Sequence, residues 1–149
     1  MDAPLLTADF KEFLSVLNAN RVDYLLVGGY AVGIHGYPRA TVDLDIWVRA
    51  TPENAVRVLA AVREFGFDTP VLNPALFSDP LSIVRFGVPP FRIEVMTSID
   101  GVEFEPCRAR ALSCDLDGVT VPVISLADLK VNKRAAGRHK DLADLDNLP

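Results

Sequence analysis

Asp43 and Asp45 stand two apart inside an otherwise apolar run, Asp43-Leu44-Asp45-Ile46-Trp47-Val48. On a strand, residues i and i+2 project from the same face, roughly 7 Å apart along the chain. Two like charges at the edge of a hydrophobic strand repel each other and are costly to desolvate. A divalent cation removes both penalties by neutralising and coordinating the oxygens. Hard oxygen ligands favour Mg2+ or Mn2+, with phosphate oxygens and water completing the shell. Glu94 interrupts a second apolar run, Phe91-Arg92-Ile93-Glu94-Val95-Met96. With the two strands side by side, Glu94 joins the aspartates at a shared edge. Three carboxylates can then hold two ions about 4 Å apart, an arrangement that stabilises attacking and leaving oxygens in phosphoryl transfer. Glu94 could also accept the proton of an attacking hydroxyl. Asp43, Asp45 and Glu94 are therefore the expected metal ligands and catalytic residues.

Gly28 and Gly29 follow a short apolar run, Tyr24 to Val27, and precede a segment expected to turn back as a helix from Tyr30 to His35. Small residues there let backbone amides approach a phosphate, and a tight structural turn accounts for them equally well. The order Gly28-Gly29-Tyr30-Ala31-Val32-Gly33 is neither a dinucleotide fingerprint nor a P-loop. Arg39 sits just before the acidic run, where it could contact phosphate or balance Asp43 and Asp45. Thr41 is expected to bond within its loop. Near the end, Lys130, Lys133, Arg134, Arg138, His139 and Lys140 cluster in a chain that is acidic as a whole. On one continuous helix, Lys130, Arg134, Arg138 and Asp141 would form a stripe able to reach a triphosphate. A solvated charged face is the competing explanation, and Gly137 weakens the continuous helix.

The elements that must hold these residues are legible from capping and periodicity. Thr7 caps a helix carrying Phe10, Phe13, Leu14 and Leu17 on one side. Tyr24 to Val27 reads as a buried strand, and Leu44 to Val48 as the next. Thr51 caps a helix with Pro52 at its first position, Ala55, Val58, Leu59 and Val62 on its apolar face, and Gly66 at its stop. Leu72 to Pro80 reads as an irregular surface loop. Ser82 to Phe86 pairs with Phe91 to Met96 around a turn at Gly87 to Pro90. Leu112 to Leu116 and Val119 to Val123 flank Asp117-Gly118, a two-residue hairpin signal. Ser125 with Asp128 resembles a capping box opening a helix with Leu126, Leu129 and Lys133. Helices alternating with strands, then several strands and a last helix, predict an α/β (α+β) fold with a mixed sheet flanked by helices. His35 and Trp47 read as packed residues, with an adenine contact left open for Trp47. Glu103 and Glu105 read as solvated loop residues.

The 149 residues suit one domain, and no linker divides them. Half are hydrophobic and 23% charged, which excludes a disordered chain. A net charge of -5 argues against generic nucleic-acid coating. Cys107 and Cys114 cannot make a dense disulfide framework or a four-cysteine zinc site, and are expected to be reduced thiols. Without a signal-peptide pattern or a long apolar stretch, the expected location is the cytoplasm, with no membrane.

Leu26-Val27-Gly28-Gly29, then Arg39, Thr41 and Asp43-Leu44-Asp45, resemble the signature of the polymerase-beta-type nucleotidyltransferase superfamily. The likeness is closest to its small bacterial members, the AbiEii-like and MNT-like proteins of toxin–antitoxin systems. Ile93-Glu94-Val95 resembles the strand carrying the family's third carboxylate, often aspartate there. Lys133, Arg138, Lys140 and Asp141 resemble the basic helix of the small members. The resemblance covers approximately Tyr24 to Leu145. It implies a nucleotidyltransferase-like mixed sheet and a donor nucleotide held by Gly28, Gly29, Arg39, Thr41, Lys133 and Arg138. It further implies two magnesium ions, a nucleoside triphosphate donor such as ATP, and attack by a hydroxyl on a protein, RNA or small molecule, releasing pyrophosphate. A catalytically weak or silent nucleotide-binding half of a toxin–antitoxin pair is the alternative, and a metal-dependent phosphohydrolase or nuclease a third. A cognate partner subunit or a homodimer is the expected assembly.

Overall fold

The computed structural model describes residues 6–87 and 91–149. Helix α1 (Ala8–Ala19) opens on Thr7, whose hydroxyl accepts the Phe10 amide, and it buries Phe10, Phe13, Leu14 and Leu17 as its spacing requires. Strand β1 (Tyr24–Val27) is buried throughout, with polar alternation absent because both of its faces are covered. Helix α2 (Gly28–Ile34) starts two residues earlier than its sequence suggests, with the glycine pair forming its first residues. Strand β2 (Asp43–Val48) includes Asp43. Helix α3 (Pro52–Phe65) carries the Thr51 cap, the Pro52 start and the Gly66 stop.

The segment after α3 departs from a plain surface loop. It contains helix α4 (Ala75–Ser78), and Phe77 and Leu72 are buried by α4 packing on α3. Strands β3 (Ile83–Phe86) and β4 (Arg92–Met96) pair antiparallel, while the turn expected at Gly87 to Pro90 lies partly outside the described residues. Glu103 and Glu105 are not in a loop of their own. Glu103 is the N-cap and Glu105 the first turn of helix α5 (Phe104–Ala109), and Glu105 accepts both Nε and Nη2 of Arg49. The hairpin of β5 (Leu112–Leu116) and β6 (Val119–Val123) turns at Asp117-Gly118, both at positive φ. The expected single C-terminal helix is two, α6 (Leu126–Ala136) and α7 (His139–Asn147). Gly137 takes the left-handed conformation that ends α6, so the Lys130–Arg134–Arg138 stripe does not exist as one helical face. Ser125 caps α6 through the Asp128 amide, but the Asp128 carboxylate is turned to Arg110 instead of closing a reciprocal box.

One six-stranded mixed sheet runs in the order β3-β4-β2-β1-β6-β5. The central pairs β2–β4 and β1–β6 are parallel, and β1–β2 is antiparallel. Parallel partners need crossovers, and α3, α4 and β3 supply the one between β2 and β4. Leu44, Ile46 and Val48 occupy one face of β2, while Asp43, Asp45 and Trp47 share the other. α1 packs on α3 over the core, and α6 packs on α7. Among the described residues, no helix is long and apolar enough to cross a membrane.

Candidate active site

Register decides which carboxylates meet. Parallel pairing sets Asp45 directly opposite Glu94, and Asp43 opposite Arg92. Adjacent strands lie about 4.8 Å apart, so Asp45 and Glu94 project side by side from one face. Val27, the last residue before the glycine pair, is the register partner of Asp45 on its other flank. The end of β1 before the glycine turn, Asp45 and Glu94 therefore form one row across three neighbouring strands.

The side chains within this row are not equivalent. Asp43 Oδ1 is 3.4 Å from Arg92 Nε, and Glu94 Oε1 accepts Arg85 Nε at 2.9 Å. Arg85 is itself the cross-strand partner of Glu94. Among the described residues, Asp45 has no such counter-ion at contact distance. Among the described residues, its Oδ1 is the one buried carboxylate oxygen without a hydrogen-bond partner. Burial, then the charges of Glu94 and Asp43, push its pKa up to about 7, against a smaller downward pull from Lys133 and Lys140. A half-buried carboxylate held that high, beside two more acids, is the arrangement a divalent cation relieves. The donor set is all oxygen, which fits Mg2+ or Mn2+. With Asp43 and Glu94 turned to their arginines, no three acidic, histidine or cysteine side chains among the described residues converge on a single point. Arg85 and Arg92 supply there part of the positive charge that a metal would bring.

The glycines have a reason independent of any nucleotide. A β-carbon on Gly28 would collide with Asp45 Oδ2 and stand 2.8 Å from its Cγ, and Gly28 has φ +70°. On Gly29 it would stand 2.6 Å from Thr41 Oγ1. The turn thus presses its backbone against the acidic strand, an approach that only residues without a β-carbon allow. Thr41 donates to the Asp43 carbonyl at 3.3 Å, the in-loop bond expected of it.

Arg39 does not balance Asp43 or Asp45. Its Nε and Nη2 donate to the two oxygens of Asp144 on α7, at 2.7 and 2.8 Å. Lys133 is buried, 3.2 Å from Asp141 and 3.1 Å from Asp144. Arg138 is exposed and donates through Nε to Asp141 at 2.6 Å. Burial pushes the Asp141 carboxyl up, but bonds from Arg138 and Lys133 outweigh it and hold the pKa below the ordinary carboxylate range. Of the basic cluster, Lys130, Arg134, His139 and Lys140 are half-buried or exposed. Trp47 is sealed in the core with its ring edge-on to Phe104 at 5.2 Å, which removes the adenine contact left open for it. His35 is packed, its Nε2 2.6 Å from the Ile124 carbonyl oxygen.

Sequence reasoning passed over Arg85, Arg92 and Asp144. A signal existed for each. Arg92 stands two before Glu94 on the same strand face, and Asp144 stands one helical turn after Asp141. Arg85 needed the β3–β4 register before its relation to Glu94 could be read.

Comparison with known proteins bears on the fold and the family. Three solved structures share the fold. TM1012 of Thermotoga maritima, assigned to the nucleotidyltransferases, superposes with a TM-score of 0.65 at 17% identity, over 92% of this chain and 88% of its own. The lincosamide antibiotic adenylyltransferase LnuA, solved with lincomycin bound, gives 0.63 at 16% identity over 96% of both chains. The antibiotic-resistance factor ANT(2'')-Ia gives 0.62 at 12% identity, over 93% of this chain and 79% of its own. No curated protein matches by sequence. The family model of nucleotidyltransferases of unknown function, DUF6036, matches residues 5–148. The chain belongs to that nucleotidyltransferase family.

Proposed function

We propose that this protein is a magnesium-dependent nucleotidyltransferase that moves a nucleoside monophosphate from a nucleoside triphosphate to an acceptor hydroxyl. The observation that carries the reading is Asp45. Among the described residues its buried Oδ1 has no hydrogen-bond partner, it lies directly opposite Glu94, and the glycine turn packs against it. Asp43, Asp45 and Glu94 would hold the metal, which neutralises the carboxylates and stabilises charge on the attacking and leaving oxygens. The acceptor oxygen attacks the α-phosphorus, the bond to the β,γ-diphosphate breaks, and pyrophosphate departs. Glu94 takes the acceptor's proton. The glycine turn would meet the triphosphate through its backbone amides, with Arg39, Thr41, Lys133 and Arg138 as further donors of the nucleotide site.

The acceptor belongs to one of three classes: protein, RNA end or small molecule. LnuA is an antibiotic adenylyltransferase and ANT(2'')-Ia an antibiotic-resistance factor, so hydroxyl-bearing small molecules belong in the first screen, and ATP is the first donor. A second reading is favoured by one contact, the turning of Glu94 to Arg85. In it the protein binds nucleotide without turnover, as a partner-binding component of a toxin–antitoxin pair.

The test is incubation with each α-labelled nucleoside triphosphate and magnesium, against small-molecule, RNA and lysate-protein acceptors. Label transfer by the wild type and none by Asp45→Asn is expected. Equal transfer by both would sink the metal mechanism, and nucleotide binding without transfer to any acceptor would favour the silent component.

A further inference from the structure

Asp144 is nearly inaccessible, yet it joins two cations from separate elements. It accepts both the Nε and Nη2 edge of Arg39, from the loop before β2, and lies 3.1 Å from Lys133 Nζ on α6. One turn earlier, Asp141 takes Lys133 from the other side and also binds Arg138. The geometry leaves defined donors over. With the Nε–Nη2 edge of Arg39 occupied, Nη1 is directed to the glycine turn, 3.5 Å from where a Gly29 β-carbon would stand. Among the described residues its one hydrogen bond is a long 3.5 Å approach to the Ala40 carbonyl. Lys133 donates to Asp141 at 3.2 Å and lies within ion-pair distance of Asp144, 3.1 Å away. Three cations against two carboxylates leave the cluster net positive.

A buried ion network is a weak stabiliser, because desolvation offsets most of the Coulombic gain. Its distinguishing product here is orientation: a guanidinium edge and an ammonium locked to the same carboxylate, beside the turn that covers Asp45. We propose that Asp144 is a positioning residue, which fixes Arg39 Nη1 and Lys133 as one preorganised cationic face for the donor's triphosphate. This rests on the nucleotidyltransferase reading above. Asp144 touches no substrate in this scheme. It acts through Arg39 and Lys133, and a Lys at position 39 could not replace the fork, since it lacks the bidentate edge.

The experiment is equilibrium binding of ATP, GTP, CTP and UTP with magnesium chloride, using the tightest of the four, with a thermal melt of every variant. Asp144→Asn should weaken nucleotide binding about tenfold in the wild-type background. Made on top of Arg39→Ala, the same change should cost about threefold or less, because half of what Asp144 orients is already gone. An equal loss in both backgrounds means a general structural role and overturns the proposal, as does a folded Asp144→Asn with wild-type affinity. Should Asp144→Asn fail to fold, Arg39→Lys decides, since Arg39 is half-exposed and the charge is kept. Affinity about tenfold weaker supports the fork, and wild-type affinity overturns it. A wild type that binds none of the four nucleotides removes the nucleotidyltransferase reading itself. A wild type that binds, with variants that bind equally well, removes only the role of Asp144.

Discussion

Gly28 and Asp45 touch across the turn between β1 and α2, with no room for even a methyl group between them. Positive φ at Gly28 adds a backbone penalty for any L side chain. Gly28→Ala should therefore cost about 1–2 kcal/mol from the left-handed backbone alone, and more from displacing the carboxylate. Transfer activity should fall further than stability does, because Asp45 is the residue that moves. Urea denaturation beside turnover tests this, and an alanine variant with full stability and turnover would show that the turn has slack.

Asp45 makes stability depend on pH with a definite sign. Its folded pKa of about 7 lies above the unfolded carboxylate value of about 4. The native state thus holds the proton more tightly, so this residue's contribution is most favourable below pH about 4 and is lost as pH rises to about 7. In metal-free buffer, wild type should lose stability against Asp45→Asn across that window, with the gap constant above it. Paired denaturation curves from pH 5 to 8 in chelator are the measurement. A gap that does not change with pH would mean that Asp45 is not a strained carboxylate.

Arg85 and Arg92 stand where a cation would be welcome, so they should compete with one. Arg85→Gln frees Glu94 and should tighten magnesium binding, by no more than about fivefold because the pair is partly exposed. Calorimetric titration of magnesium without nucleotide reads this directly. Weaker magnesium binding in Arg85→Gln would assign the arginine a supporting role instead.

Lys133 and Arg138, members of one basic cluster in the sequence, should separate in stability. Truncating Lys133 leaves Asp141 and Asp144 buried with less compensation, which costs on the order of 3–5 kcal/mol. Arg138 is mostly exposed, and its truncation should cost about 1 kcal/mol or less. Thermal melts of the two single alanine variants distinguish them. The burial of Lys133 removes it from the solvated charged face that competes to explain the basic cluster.

Local chemistry in the chain determined much of this protein. Caps at Thr7, Thr51 and Ser125, the stop at Gly66 and the Asp117-Gly118 hairpin are short-range signals, decided by backbone groups within a few residues. The period-two placing of Asp43 and Asp45 fixed that they share a face, and the glycine pair fixed where β1 ends. Tertiary structure alone decided the rest. Which carboxylate opposes Asp45 is a matter of register between strands far apart in the chain, and one residue of slippage would have sent Glu94 to the opposite face. Arg39 finds Asp144 across most of the sequence because α7 folds back over the loop before β2. Lys133 is buried because the left-handed turn at Gly137 folds α7 against α6. Charge and periodicity name the groups that can do chemistry, but long-range packing chooses their partners, since a buried charge must be neutralised by whatever the fold brings near it.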